Sequence, residues 1–142
     1  MKVLFLAYVN HPGNFMVNDP IADFIVRLSN AGAVHHVSVT VPFSKMKESI
    51  AQVLAREGYV GEVKRTTQGA LRVGLLYKNN RPAVSGFKRL SKPSRRLYAG
   101  SKELRPVKNG KGLLVLSTPA GILTGADARK QNVGGETLFE IW

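Results

Sequence analysis

A chain of 142 residues with 44% apolar content can build one large domain or two small ones that share an interface. It has no cysteine, which excludes disulfides, thiolate metal sites and thiol nucleophiles, and no apolar run near the roughly 18 residues of a membrane span. Twenty-one Lys and Arg against nine Asp and Glu give a formal charge of +12, an excess that predicts a polyanionic partner because like charges otherwise repel within the fold.

Residues 1–15 read either as a short extra strand or as residues upstream of a start at Met16, and the second reading is preferred. Met1 to Val9 has the outline of a signal peptide, but its apolar part is short and His11-Pro-Gly-Asn14 offers no small-residue cleavage site. Asp19-Pro20 opens a helix, with Asp19 as N-cap, Pro20 at the first position and Asp23 as a charge in the first turn. Ile21, Phe24, Ile25 and Leu28 fall on one face, and Gly32 suits the C-terminal stop. Val37, Val39 and Val41 alternate with Ser38 and Thr40, the two-residue period of a half-buried strand. A second helix follows Ser44 as cap, lined by Met46, Ile50, Val53 and Leu54, and ends at Gly58. Tyr59 to Thr66 and Ala70 to Lys78 read as strands paired about Thr67-Gln-Gly69. Residues 16–78 thus form an α-β-α-β-β unit, and the polar turn Asn79-Asn-Arg-Pro82 marks a domain boundary.

From residue 83 to 142 the elements become short and mostly β. Ala83 to Leu90 reads as a strand carrying Lys88 and Arg89, Ser91-Lys-Pro-Ser94 as a turn, and Arg95 to Tyr98 as a second short strand. Basic side chains interleaved with one aromatic can grip phosphates while the ring stacks on a base, although a solvated strand with Tyr98 in the core fits equally well. Lys102 to Arg105 suggests one helical turn. The apolar run Leu113 to Leu116 is a buried strand that stops in Ser117-Thr-Pro-Ala120 and resumes at Gly121-Ile-Leu123. Its two hydroxyls either close their own turn or, held on a rigid element, bond phosphate or base edges. Thr124-Gly-Ala-Asp127 is a capping box that starts a short helix through Lys130, and a final strand runs from Gly134-Gly-Glu136 to Trp142. The class is α+β, with two small domains.

Charge is concentrated in one block that falls mainly in this second half. Residues 64–111 hold fourteen Lys and Arg and one acid, Glu103, while the rest of the chain has seven bases and eight acids. A contiguous basic block beside the Ser-Thr turn is better explained by a binding surface than by general solubility. Enzymatic chemistry finds no support: Ser117 is not set between glycines as in a nucleophile elbow, and Gly110-Lys-Gly112 lacks the phosphate-loop spacing. His35 and His36, adjacent on a strand, would point to opposite faces and could not chelate one metal together. Glu136, beside two glycines, is either a plain surface carboxylate or one that accepts from a base amino group or orients an Arg. No cofactor, small-molecule substrate or membrane partner is expected.

Several ordered motifs then carry a resemblance. Asp19-Pro-Ile-Ala-Asp23, Pro42-Phe-Ser-Lys45, Glu57-Gly-Tyr59, Lys88-Arg-Leu-Ser-Lys-Pro93, Arg96-Leu-Tyr98, Ser117-Thr118 with Gly121, Ala128-Arg-Lys130 and Gly134-Gly-Glu136 are similar to the bacterial form of the eighth small-subunit ribosomal protein family. The resemblance covers residues 16–142. It implies a cytoplasmic, non-enzymatic two-domain protein that binds a helix in the central domain of 16S rRNA early in small-subunit assembly. Its neighbours would be the fifth and seventeenth small-subunit proteins. It also implies an alternative role as a repressor that binds its own operon mRNA through the same surface. Carried over, Ser117 and Thr118 contact sugar and base edges, and Gly121 permits their turn. Ser91, Lys92, Arg96 and Tyr98 share that face, Gly135 and Glu136 lie beside it, and Lys88 and Arg95 complete the rRNA-binding set. The family commonly has Ser then Lys after the Ser-Thr pair. Here Pro119 and Ala120 stand in those places, which removes one hydroxyl and one charge from the tip.

Overall fold

The computed structural model describes residues 19–142, so the choice between a strand and an upstream segment for residues 1–15 lies outside the described residues. Helix α1 (Pro20–Ala33) starts as its sequence dictates: the Ala22 N–H donates to the Asp19 carboxylate at 3.2 Å, with Pro at the first position. Phe24, Ile25 and Leu28 are buried along one face. Gly32 does not stop the helix. The helix continues to Ala33, and a Cβ at position 32 would sit 3.2 Å from the Pro82 Cβ, so the glycine serves close packing. The reversal falls instead at His35, whose φ is 58°, with the His35 and His36 N–H groups bonded back to the Gly32 and Ala31 carbonyls. The two histidines therefore sit in a helix-end turn, not on a strand as the alternation suggested.

Strand β1 (Ser38–Pro42) buries Val41 and half-buries Val39, while Val37 precedes the strand and is 85% exposed. Helix α2 (Lys45–Arg56) is capped by Ser44, which accepts from the Lys47 N–H at 3.1 Å. It buries Ile50, Ala51, Val53 and Leu54, but Met46, expected on that face, is 42% exposed in the first turn. Strands β2 (Val60–Arg65) and β3 (Ala70–Leu75) complete an antiparallel sheet in the order β1-β3-β2. The polar stretch 79–82 falls in a small hairpin of β4 (Tyr77–Lys78) and β5 (Arg81–Pro82).

The second half is a five-stranded antiparallel sheet built from β6 (Phe87–Arg89), β7 (Tyr98–Ala99), β8 (Leu113–Thr118), β9 (Gly121–Thr124) and β10 (Gly135–Ile141). Its path is β6-β10-β8-β9, with β7 also on β10. Three expectations are corrected here. The Ala83–Leu90 strand shortens to Phe87–Arg89: Gly86 still exchanges backbone bonds with Trp142 at 3.0 Å, but the Ser85 N–H converges on the same Trp142 carbonyl at 2.6 Å, so the ladder goes no further. The Arg95–Tyr98 strand survives only at Tyr98, the first residue of β7: Lys92 and Arg95 exchange backbone bonds at 2.9 Å and close the expected turn across Pro93-Ser94, and residues 96–97 belong to no strand. The Ser117–Ala120 turn contracts to Pro119-Ala120 alone, and the apolar run that resumes at Gly121 returns antiparallel, with Thr118 paired to Gly121. Gly121 has a φ of 113°, which glycine adopts without strain. Helix α3 (Gly125–Lys130) starts at the predicted cap, where the Asp127 N–H donates to Thr124 Oγ1 at 3.1 Å.

The main core crosses between the halves. Phe24, Ile25, Leu28, Ile50, Leu54, Leu71 and Val73 pack in one cluster with Val115, Leu138, Phe139 and Ile141, while Leu104, Val107, Leu114, Leu116 and Ala128 form a second cluster on the other sheet face. Polar clamps reinforce the junction. Arg89 grips Asp19 with both prongs of its guanidinium (2.9 and 3.0 Å) and also donates to the Leu138 carbonyl. Arg56 pairs with Asp127 at 2.8 Å, and the Tyr59 hydroxyl reaches the Lys111 carbonyl at 3.4 Å. With only 11% and 20% of the Arg89 and Asp19 side chains exposed, that bidentate pair is the most sheltered ion pair of the described residues. Arg89→Met, which keeps the apolar stem but takes the paired cation from the sheltered Asp19 carboxylate and one of two donors from the Leu138 carbonyl, should lower unfolding free energy by about 2–4 kcal/mol. A lower urea midpoint at unchanged slope is the expected result.

Candidate nucleic-acid interface

The interface is organised by the start of β10. A Cβ at Gly135 would overlap the Ser117 carbonyl oxygen and lie 2.9 Å from its carbon; a Cβ at Gly134 would overlap the Ala99 carbonyl and lie 2.8 Å from Gly100 Cα. Only glycine lets this strand lie between β7 and β8 at such close range. The result is a continuous register in which Glu136 pairs with Tyr98 on one side and Ser117 on the other, and Ser117 pairs in turn with Ile122. Residues directly paired across antiparallel strands point to the same face, so Tyr98, Glu136, Ser117 and Ile122 form one row at the sheet's end. A bulge between Thr137 and Phe139 restores Phe139 and Ile141 to that same face, where they enter the core.

Ser91 is fully buried rather than surface-facing. Its hydroxyl donates to Glu136 Oε2 at 2.7 Å and accepts from the Leu97 N–H at 2.9 Å. Both ends of the 91–97 loop are also pinned to Thr137: the Ser91 N–H donates to its carbonyl at 3.1 Å, and its own N–H donates to the Leu97 carbonyl at 3.0 Å. The loop therefore presents Lys92, Arg95 and Arg96 from a fixed frame. All three are exposed, as is Tyr98 at 68%. None of the three cations has a carboxylate partner among the described residues. Among the described residues, half-buried Glu136 has no partner on Oε1 and none engages the Ser117 hydroxyl.

Ser117 and Thr118 do not act as a pair. Being adjacent on β8, they point to opposite faces. The Thr118 hydroxyl is spent on its own turn, accepting from the Ala120 N–H at 3.1 Å and donating to the Gly121 carbonyl at 2.8 Å. It shapes the Pro119-Ala120 tip. Lys88 also stands apart: it pairs with Glu140, on the face opposite Phe87 and Arg89, and so lies away from the Tyr98 row. Of the predicted set, Lys92, Arg95, Arg96, Tyr98, Ser117 and Glu136 gather at one end of the sheet, with Ser91 beneath, Gly135 as spacer, and Thr118 and Gly121 forming the tip.

Sequence reading missed Thr137, whose backbone ties down the basic loop, and Arg89, counted there among the binding-surface charges. Nothing marks Thr137 in the sequence, but Arg89 lies among spaced apolar residues, which hints at a buried stem. Arg65 is likewise withdrawn: it forms a two-pronged pair with Glu48 at 2.8 Å and lies 4.4 Å over the Phe43 ring, and the same hydrogen bonds hold the Glu48 carboxyl below its usual range. An open groove of about 280 Å³ between residues 104–113 and α3 is lined by none of the gathered residues. No cluster of three His, Asp or Glu suited to a metal occurs among the described residues.

Comparison with known proteins supplies an independent finding. The family model described as Ribosomal protein S8 matches residues 19–142. The small ribosomal subunit protein uS8 of Nitratidesulfovibrio vulgaris (strain Miyazaki F) is 48% identical over 127 residues, 89% of this chain and all of the relative. Those of Persephonella marina and Lacticaseibacillus casei are 46% and 44% identical, again over 89% of this chain and 100% and 99% of theirs. The steric constraint at β10 gives a direct test. Gly135→Ala should lower stability by roughly 3 kcal/mol or more, because the overlap is with backbone that cannot rotate aside. Ala in place of a strand glycine would otherwise be favourable, so a thermal midpoint equal to or above that of the parent would refute the close approach.

Proposed function

Since the chain belongs to the ribosomal protein S8 family and has a structural rather than enzymatic role in the ribosome, we propose that it binds a helix in the central domain of small-subunit (16S) rRNA through the end of its five-stranded sheet. It acts in the cytoplasm as part of the small subunit, beside the fifth and seventeenth proteins of that subunit. One observation carries the reading: three cations and a hydroxyl without partners among the described residues, an exposed tyrosine and a half-satisfied carboxylate converge on one rigid edge.

The chemistry divides by position. Lys92, Arg95 and Arg96 lie on the loop and neutralise phosphates, releasing counterions and supplying salt-dependent affinity. Tyr98 offers a flat face for a base or ribose. Glu136 and Ser117 continue the row beyond Tyr98, away from the loop. A carboxylate repels phosphate but accepts from a ribose 2′-hydroxyl or a base amino group, so Glu136 favours the wide minor groove of A-form RNA and keeps the backbone to the basic rim. Ser91 holds Glu136 from below, Gly135 allows the close strand packing, and Thr118 with Gly121 fixes the tip. Pro119 and Ala120 bring no polar side chain to that tip, so shape rather than hydrogen bonding governs its fit. Lys88, on the other face, adds only to the long-range field.

The test is a titration of the protein against a central-domain rRNA hairpin and a perfect RNA duplex of equal length at several salt concentrations. A preference for the hairpin that survives rising salt supports the reading, and equal affinities that collapse together refute it. Arg96→Ala should weaken hairpin binding and flatten the plot of log affinity against log salt by about 0.7–0.9. Ser117→Ala should leave that slope unchanged and reduce the preference for hairpin over duplex by roughly 5-fold, the loss of about one hydrogen bond.

A further inference from the structure

The basic block is not exhausted by the edge just described. Lys78 and Arg81 belong to it but stand on the β4–β5 hairpin, which packs on the N-terminal half. Asn79 and Asn80 both adopt left-handed conformations, φ 51° and 64°, the signature of a two-residue turn matched to strand twist. The hairpin is locked in place. Pro82 packs against Gly32 of α1, the Tyr77 hydroxyl donates to the His36 carbonyl, and the Ala83 N–H donates to the Leu76 carbonyl at 2.9 Å.

Lys78 and Arg81 are directly opposed in this hairpin, so both side chains leave it on one face. Both are exposed, and neither meets a carboxylate among the described residues. Like charges placed opposite each other across a strand pair destabilise it, and a two-stranded ribbon has little stability of its own to spare. Three anchors thus hold together two cations that repel each other, an arrangement that a shared anion would relieve. We propose that the Lys78–Arg81 hairpin is a second phosphate-binding site, contacting the backbone of an rRNA segment other than the helix held by the Tyr98–Glu136–Ser117 row. This rests on the rRNA-binding reading above and extends it: one chain would bridge two RNA segments.

The test pairs two RNAs, the central-domain hairpin alone and full-length small-subunit rRNA, with the parent chain and the double variant Lys78→Gln/Arg81→Gln. The hairpin alone should bind both proteins equally. On full-length rRNA the double variant should bind about 5-fold or more weakly near 0.1 M salt, with a salt slope smaller by about 1–2. Unchanged binding to full-length rRNA would overturn the inference and leave an acidic protein as the hairpin's partner. Equal losses on both RNAs would overturn it too, by placing Lys78 and Arg81 in the first site. Failure of the parent chain to prefer the central-domain hairpin over a duplex would instead sink the functional reading, and this inference with it. A second variant separates binding from folding. Lys78→Glu creates an opposite-charge pair with Arg81, so at low salt it should raise the thermal midpoint by roughly 1–3 °C while weakening binding to full-length rRNA. A fall in both would mean that Lys78 only supports the fold.

Discussion

Strand β10 is bonded on both edges along most of its length, and the close backbone approach at Gly134 and Gly135 makes that possible at its start. Everything around the candidate interface follows from it. The register that sets Glu136 between Tyr98 and Ser117, the Thr137 bonds that tie down the 91–97 loop, and the bulge that turns Phe139 into the core all belong to this one strand. Side chains at 134 or 135 would move the strands apart and dissolve the row.

The second consequence concerns how the halves depend on each other. Val115, Leu138, Phe139 and Ile141 come from the five-stranded sheet yet share a cluster with Phe24, Ile50 and Leu71 of the first half. The Asp19 carboxylate does two jobs at this junction: it caps α1 and receives the Arg89 guanidinium. A helix N-terminus favours negative charge, so the same carboxylate that starts α1 is well placed to fix the second sheet against it. The basic block is therefore mixed. Arg65 and Arg89 act as internal clamps, Lys108 lies 4.4 Å over the Trp142 ring, and other members remain free for an anion.

Local signals were legible wherever a short-range rule decides the outcome. Asp19, Ser44 and Thr124 were readable as caps because an N-cap needs only a side-chain oxygen and an N–H two or three residues on. The order α-β-α-β-β and the β character of the second half followed from apolar period. What failed depended on contacts between distant residues. Gly32 read as a stop, but its role is set by Pro82, fifty residues away in sequence. Ser91 read as a surface hydroxyl because nothing local reveals that Glu136 and the Leu97 N–H will close over it. Ser117 and Thr118 read as one turn because Pro119 suggested an earlier break, whereas β8 continues to Thr118 and period two separates the hydroxyls onto opposite faces. The charge count marks where cations gather, but it cannot tell a clamp such as Arg89 from Arg96, which meets no carboxylate among the described residues.

The shared core also bears on synthesis of the chain. The residues that complete the first half's packing, Leu138, Phe139 and Ile141, lie more than a hundred positions after α1 begins. A growing polypeptide emerging at about 5–20 residues per second will hold α1 and α2 with their apolar faces only partly covered for roughly 5–20 seconds, until β10 appears. Closure of the core and creation of the Tyr98–Glu136–Ser117 row are then a single late event. A chain interrupted before residue 135 carries the full basic block but no ordered surface on which to use it, and its exposed apolar faces make it a substrate for chaperones and proteases rather than a competitor for RNA.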